Sequence, residues 1–228
     1  MRVFRFTSVI LFLLITLAAA PVFASPITTV DMTFVGPGGN NSGGVYTYPY
    51  NFSINGSSTM TPLICDAFDN EVSPGESWTA TVTPLIDGTG LWGTNVLDYK
   101  AAGLIFEGIL NGTINPNAGN WAIWGLFSSN AQSNSYFSSS GAGSLDTTYL
   151  ADAGTAPNSM FNGLVLYTPQ PGTQTWGGTP QEYIGYVCAP EPSELSLMGL
   201  TFLFLLGALV YKNRTHHTKY GCGLSHTA

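Results

Sequence analysis

Two uncharged apolar runs, one near each end of the chain, decide how much of this sequence is left to fold in water. The first 24 residues open on Arg2 and Arg5, continue in an apolar stretch from about Val9 to Ala20, and close on Val22 and Ala24. Small residues at those two positions, behind a basic start and a short apolar run, predict a secretory leader cut by signal peptidase before Ser25. At the other end, Leu195–Tyr211 carries no charge. At about 1.5 Å per residue this run reaches the low edge of a bilayer core, so it is expected to be a single transmembrane helix. Lys212 and Arg214 follow it, with Lys219 beyond. This positive flank assigns residues 212–228 to a cytoplasmic tail and everything before the span to the outside. Residues 25–188 remain as one exported domain, long enough to bury a core.

Immediately ahead of the span stand Pro190, Glu191 and Pro192, within the linker 189–194. Two prolines deny this stretch a helix and hold it extended, as a membrane protease would need its recognition segment. A Pro-Glu-Pro triplet, an apolar span and then basic residues resemble the PEP-CTERM sorting region of Gram-negative bacteria that make exopolysaccharide. The resemblance covers about residues 189–214. It implies an exosortase-type membrane protease as partner, and a path from the inner membrane to the outer surface or extracellular matrix, with exopolysaccharide as a candidate associate. The basic flank here is thinner than the family pattern. The tail also runs fourteen residues past Arg214.

Charge narrows the chemistry further. All 13 acidic residues of the chain lie between Ser25 and Glu194, against one basic residue, Lys100, a formal net charge of −12 for that region. Nucleic acid and anionic lipid are therefore poor partners. His216, His217 and His226 all lie in the tail. The exported region alone thus offers no Ser-His-Asp or Cys-His unit and no His-ligated metal, and no cofactor is expected.

The exported region is rich in Gly, Asn, Ser, Thr and aromatics, the composition of strands joined by many turns. Strands are expected at 27–35, 45–54, 78–85, 163–167 and 182–188, with Trp78, Ala80, Val82 and Pro84 on one face. Asn55-Gly56, Pro74-Gly75 and Asp87-Gly88 read as turns. Over 96–110, Leu97, Ala101, Leu104, Ile105 and Ile109 recur at helical spacing, with Asn95 as N-cap. A second helix is expected at 118–127 and a third at 145–152. Disorder fits best at 36–44 and 128–144. The fold class is accordingly α+β and mainly β, a sandwich or barrel-like sheet with two or three short helices, plus the C-terminal membrane helix.

Chemistry could reside in a few places. Cys65 follows Leu63 and Ile64 and precedes Asp66, Asp69 and Glu71, and a later segment reads Asn120-Trp121-Ala122-Ile123-Trp124. Together these two pieces resemble the thioester domains of bacterial surface adhesins, in which a strand Cys is joined to a Gln just before an Ala-Ile-Trp-like helix start. The resemblance implies Cys65 and Asn120 as the corresponding pair, although Asn120 is one methylene shorter than Gln. Cys65 could equally be a buried thiol or be disulfide-bonded to Cys188, the other cysteine of the exported region. Asp66, Asp69, Glu71 and Glu76 could bind Ca²⁺ or supply a glycosidase pair, but no calcium-loop spacing supports a metal. Trp78, Trp92, Trp121, Trp124 and Trp176 could form a sugar-stacking platform or serve as core. The expected function is a non-catalytic surface or matrix protein. An adhesin-like or carbohydrate-binding module is the alternative, and a carboxylate-only glycoside hydrolase stands third.

Overall fold

The computed structural model describes residues 29–176 and 178–187. The leader 1–24, Cys188, the Pro190–Pro192 motif, the run 195–211 and the tail with Lys212 and Arg214 lie outside them. Among the described residues no helix is long and apolar enough to cross a membrane.

Strand alternation sets up the sheet. β1 (Thr29–Pro37) buries Val30, Met32 and Phe34 while Thr29, Asp31 and Val35 face solvent. β6 (Ser77–Pro84) buries Trp78, Ala80 and Val82, but Pro84 is exposed, so the expected face ends one position early. β4 (Tyr50–Ile54) turns Tyr50 and Phe52 inward. Between β1 and β4 a small hairpin forms from β2 (Asn41–Ser42) and β3 (Val45–Tyr46), so the single strand expected over 45–54 is broken in two. A cis Tyr48–Pro49 bond lies at that break.

Six strands close into a barrel in the order β1-β4-β5-β10-β9-β6, where β5 is Thr61–Cys65, β9 Leu164–Pro169 and β10 Tyr183–Tyr186. Every pair is antiparallel. The open choice between sandwich and barrel is thus decided by β10, which enters between β5 and β9 with Tyr183 opposite both Cys65 and Tyr167. Closure removes the exposed edges that an open sheet would carry. Inside, Tyr183 meets Phe52 at 4.6 Å between ring centroids, Tyr50 at 5.5 Å and Trp78 at 6.2 Å, and Phe34 meets Phe52 at 5.3 Å. Each such pair is worth about 0.5–1.5 kcal/mol beyond area burial. Gly185 lets Leu63 pack close, because a Cβ on it would fall 2.3 Å from the end of the Leu63 side chain.

Between β6 and β9 the chain leaves the barrel through a short 3₁₀ turn, Leu85–Asp87, and a two-residue hairpin, β7 (Thr89–Gly90) with β8 (Gly93–Thr94). It then builds a helical layer. α1 spans Val96–Leu110 as expected. Its buried apolar residues include Tyr99, Ala101, Ala102, Ile105, Phe106 and Ile109, so Ala101, Ile105 and Ile109 of the expected set are buried, Leu104 is half-buried and Leu97 is 45% exposed. The buried positions still follow helical spacing, on a helix that is apolar on most sides. Asn95 precedes the helix, but its side-chain amide donates to the Asp98 carboxylate and caps no backbone N–H.

α2 (Pro116–Phe127) begins two residues before the expected 118. Asn115 Oδ1 accepts from the N–H groups of Asn117 at 2.9 Å and Ala118 at 3.3 Å, and Pro116 supplies a first helical turn that needs no N–H. The stretch 128–144, where disorder would have fitted best, forms α3 (Ser129–Ser133) and α4 (Ser135–Ser140), capped by Ser128 and Asn134. α5 (Ala142–Thr155) extends the expected third helix at both ends. The layer therefore holds more helix than anticipated, since Ser and Asn caps start short helices in a segment that composition alone marks as turn-rich.

Asp146 on α5 is 8% exposed, and its Oδ1 has no hydrogen-bond partner. Burial, with Asp98 nearby, pushes its pKa up to about 7. A folded-state pKa above the unfolded value gives stability that is complete below about pH 4 and is lost as pH rises through 7. Asp146→Asn is expected to flatten this slope and raise the melting temperature at pH 8 by a few degrees, measured by thermal denaturation from pH 4 to 8.

Candidate functional site

The residues singled out for chemistry meet where the end of β5, the start of β10 and the first turns of α1 and α2 converge. Cys65 is the last residue of β5 and is fully buried as a free thiol. Its Sγ accepts from Ala67 N–H at 3.3 Å. Burial, followed by the adjacent Asp66, drives the thiol pKa up, so the reactive thiolate is disfavoured. Its suggested disulfide partner Cys188 lies outside the described residues.

Asn120, which the resemblance set opposite Cys65, bonds the backbone beside the sulfur. Its Nδ2 donates to the Cys65 carbonyl at 3.0 Å and its Oδ1 accepts from Tyr48 N–H at 2.8 Å. The side chain is completely buried. Both ends of the amide are thus committed to backbone groups, pinning α2 to the end of β5 and to the segment before Pro49.

One residue further on, Asp66 turns to Glu182. Both are fully buried, and Asp66 N–H donates to the Glu182 carbonyl at 3.3 Å. Three donors converge on the Glu182 carboxylate: Leu91 N–H at 2.7 Å, Tyr99 O–H at 2.6 Å and the Thr168 hydroxyl. Neither Asp66 oxygen accepts a hydrogen bond of normal geometry, although Trp92 Nε1 approaches loosely. Burial, then the facing Glu182, hold the Asp66 pKa well above the ordinary carboxylate range. Burial beside Glu182 thus favours the protonated form of Asp66. Gly90 makes room for this arrangement, because a Cβ there would lie 2.3 Å from Tyr99 Oη and 2.5 Å from the Glu182 oxygens.

The carboxylates over 66–76 go to separate places. Asp66 enters the buried pair just described. Asp69 accepts from Ser128 Oγ and Asn130 Nδ2, each at 2.7 Å, anchoring the start of α3. Glu76 accepts from Ser73 N–H at 3.1 Å, and Glu71 faces solvent. Among the described residues no three His, Cys, Asp or Glu side chains gather as a metal site requires. The tryptophans do not form a platform either: Trp78, Trp121 and Trp124 are core, and Trp176 is 50% exposed on its own. Sequence reasoning missed Glu182, Tyr99 and Gly90. The available signal was a carboxylate opening the apolar strand Tyr183–Tyr186, since a charge entering a core must find donors.

What borders the surface here is an open groove of about 470 Å³ beside the β2–β3 hairpin and the loop after Cys65. Compared with family models, curated proteins and solved structures, the chain has no match.

Two outcomes are expected from denaturation of the full chain. Asn120→Ala leaves Tyr48 N–H and the Cys65 carbonyl unpaired and should cost roughly 2–4 kcal/mol, whereas Cys65→Ser, which keeps those backbone bonds, should cost less. Because the folded Asp66 pKa is raised, its contribution is complete at acid pH and falls as pH rises above the unfolded value. Asp66→Asn, which retains a donor for Glu182, should be more stable than the parent at pH 8 and lose that advantage near pH 4.

Proposed function

We propose that the chain is a non-catalytic, exported envelope module, membrane-anchored at first and sorted to the surface or matrix through Pro190, Glu191 and Pro192. One observation carries the reading: the barrel runs from Thr29 to Tyr186, inside the interval between the leader cleavage site and the sorting motif. The barrel is compatible with that interval. The fate of the candidate reactive groups supports the same reading. Cys65, Asn120, Asp66 and Glu182 are all spent inside the core, Asp69 and Glu76 hold neighbouring groups, and Glu71 faces solvent. A nearly cation-free surface suits an envelope protein that must stay soluble outside the membrane.

Fractionation of cells producing the epitope-tagged chain is the test. The protein should appear in the envelope in a shortened form. Replacing Pro190, Glu191 and Pro192 by Ala, or deleting the host's exosortase, should raise the inner-membrane share severalfold. A chain confined to the cytosol would defeat the proposal.

A further inference from the structure

The groove beside the buried cluster has two walls and a floor of different chemistry. One wall is the β2–β3 hairpin, where Tyr46 is 39% exposed, and the other is the loop carrying Asn70 and Glu71. Phe68 and Trp124 form the floor together with Gln181. At about 470 Å³ the groove lies within the range of small-ligand sites, about 300–1,000 Å³.

The groove is built in advance of any ligand. Tyr50 O–H donates to the Tyr46 carbonyl at 2.6 Å and fixes the hairpin wall. Gln181 Nε2 donates to the Ala67 carbonyl at 3.3 Å and also to the Asn70 carbonyl, while its Oε1 accepts from Tyr183 O–H at 2.6 Å, which fixes the loop wall to the barrel. Phe68 packs on Trp121 and Trp124, each at 5.3 Å between ring centroids. Preorganisation of this kind removes ordering cost from binding.

Some polar capacity remains unused. Asn70 Nδ2 donates to the Pro180 carbonyl at 3.1 Å, but among the described residues its Oδ1 accepts nothing, and Glu71 makes no hydrogen bond or ion pair. Trp124 is 2% exposed and its indole N–H has no hydrogen-bond partner, although it lies close enough to Cys65 Sγ to favour the thiolate slightly. The charge balance then selects the ligand class. Lys100 is the sole basic residue among those described, and its Nζ is held by the Ala156 carbonyl at 2.6 Å. With Glu71 on the rim and no cation to oppose it, an anionic ligand is repelled. A cation cage needs several open aromatic faces, whereas Trp124 and Tyr50 are almost fully covered.

We propose that this groove binds a short segment of neutral saccharide. The C–H faces of a sugar ring pack on Tyr46 and Phe68, and its hydroxyl groups donate to Asn70 Oδ1 and the Glu71 carboxylate. The ligand class fits the reading of the chain as an exported module and rests on it for where the sugar is met. The groove itself does not depend on that reading.

The full chain, purified in a sugar-free detergent, is titrated with cellobiose, maltotriose, mannobiose, lactose and N,N′-diacetylchitobiose while tryptophan fluorescence and calorimetric heat are recorded. At least one of these should saturate. Tyr46→Ala and Glu71→Ala should each weaken it about tenfold, a loss of about 1.4 kcal/mol. Met160→Ala, exposed elsewhere, should leave binding unchanged, and circular dichroism verifies that each variant is folded. Absence of saturation by every sugar overturns the inference, as does binding that survives both groove substitutions. Saturation by tetramethylammonium or a glucuronate disaccharide in place of the neutral sugars also overturns it. Cell fractionation has no bearing on this titration, so failure of the sorting proposal and failure of the saccharide site are told apart.

Discussion

The fold turns on a buried carboxyl group whose oxygens must be met from several directions at once. Glu182 sits at the mouth of the closing strand β10, out of contact with water, and its carboxylate is met by donors from the β7–β8 hairpin, α1 and β9. Polar oxygens left without donors at this depth would be costly, so the three elements are bound to one geometry. Asp66 adds a proton-bearing partner from the end of β5. The barrel and the helical layer are thereby tied at the place where the last strand closes the sheet.

Around that point, side chains that look reactive in isolation become structural. Asn120 secures α2 by bonding the Cys65 carbonyl, and Cys65 itself is sealed as a neutral thiol. Sealing the interior moves any recognition chemistry outward, to the groove whose floor is the far side of the same packing. Trp124 belongs to both: its ring is core, and its edge lines the groove. The loop from Ala67 to Asn70 is likewise shared, since Gln181 holds it to the strand that carries the aromatic cluster. Rigidity in the barrel is transmitted to the groove by these few bonds.

Much of the local structure was legible from residues alone. The alternation of Trp78, Ala80 and Val82 reads directly as a half-buried strand, and α1 has the limits its periodicity implies. β5 was harder, because Leu63, Ile64 and Cys65 are all buried and the period-2 signal disappears when both faces of a strand are covered. The segment 128–144 misled for a different reason. Its Ser, Asn and Gly residues look like loop, yet Ser128 and Asn134 act as helix caps and the short helices rest on α2. The bonds Asn120 makes were not legible, because both its partners, the Cys65 carbonyl and Tyr48 N–H, are backbone groups more than fifty residues away.

By itself, the sequence determined what depends on near neighbours in the chain: strand alternation, helix spacing, turns at Asn55-Gly56 and Asp87-Gly88, and a region with 13 acids and a single cation. The tertiary structure alone decided barrel closure, because β10 pairs with one strand more than a hundred residues earlier and with another about twenty residues earlier at once. It also decided which carboxylates are buried, and the groove walls, which come from four separate stretches of chain. Those outcomes rest on donors, acceptors and rings brought together across long sequence separations, and no local pattern records which ones will meet.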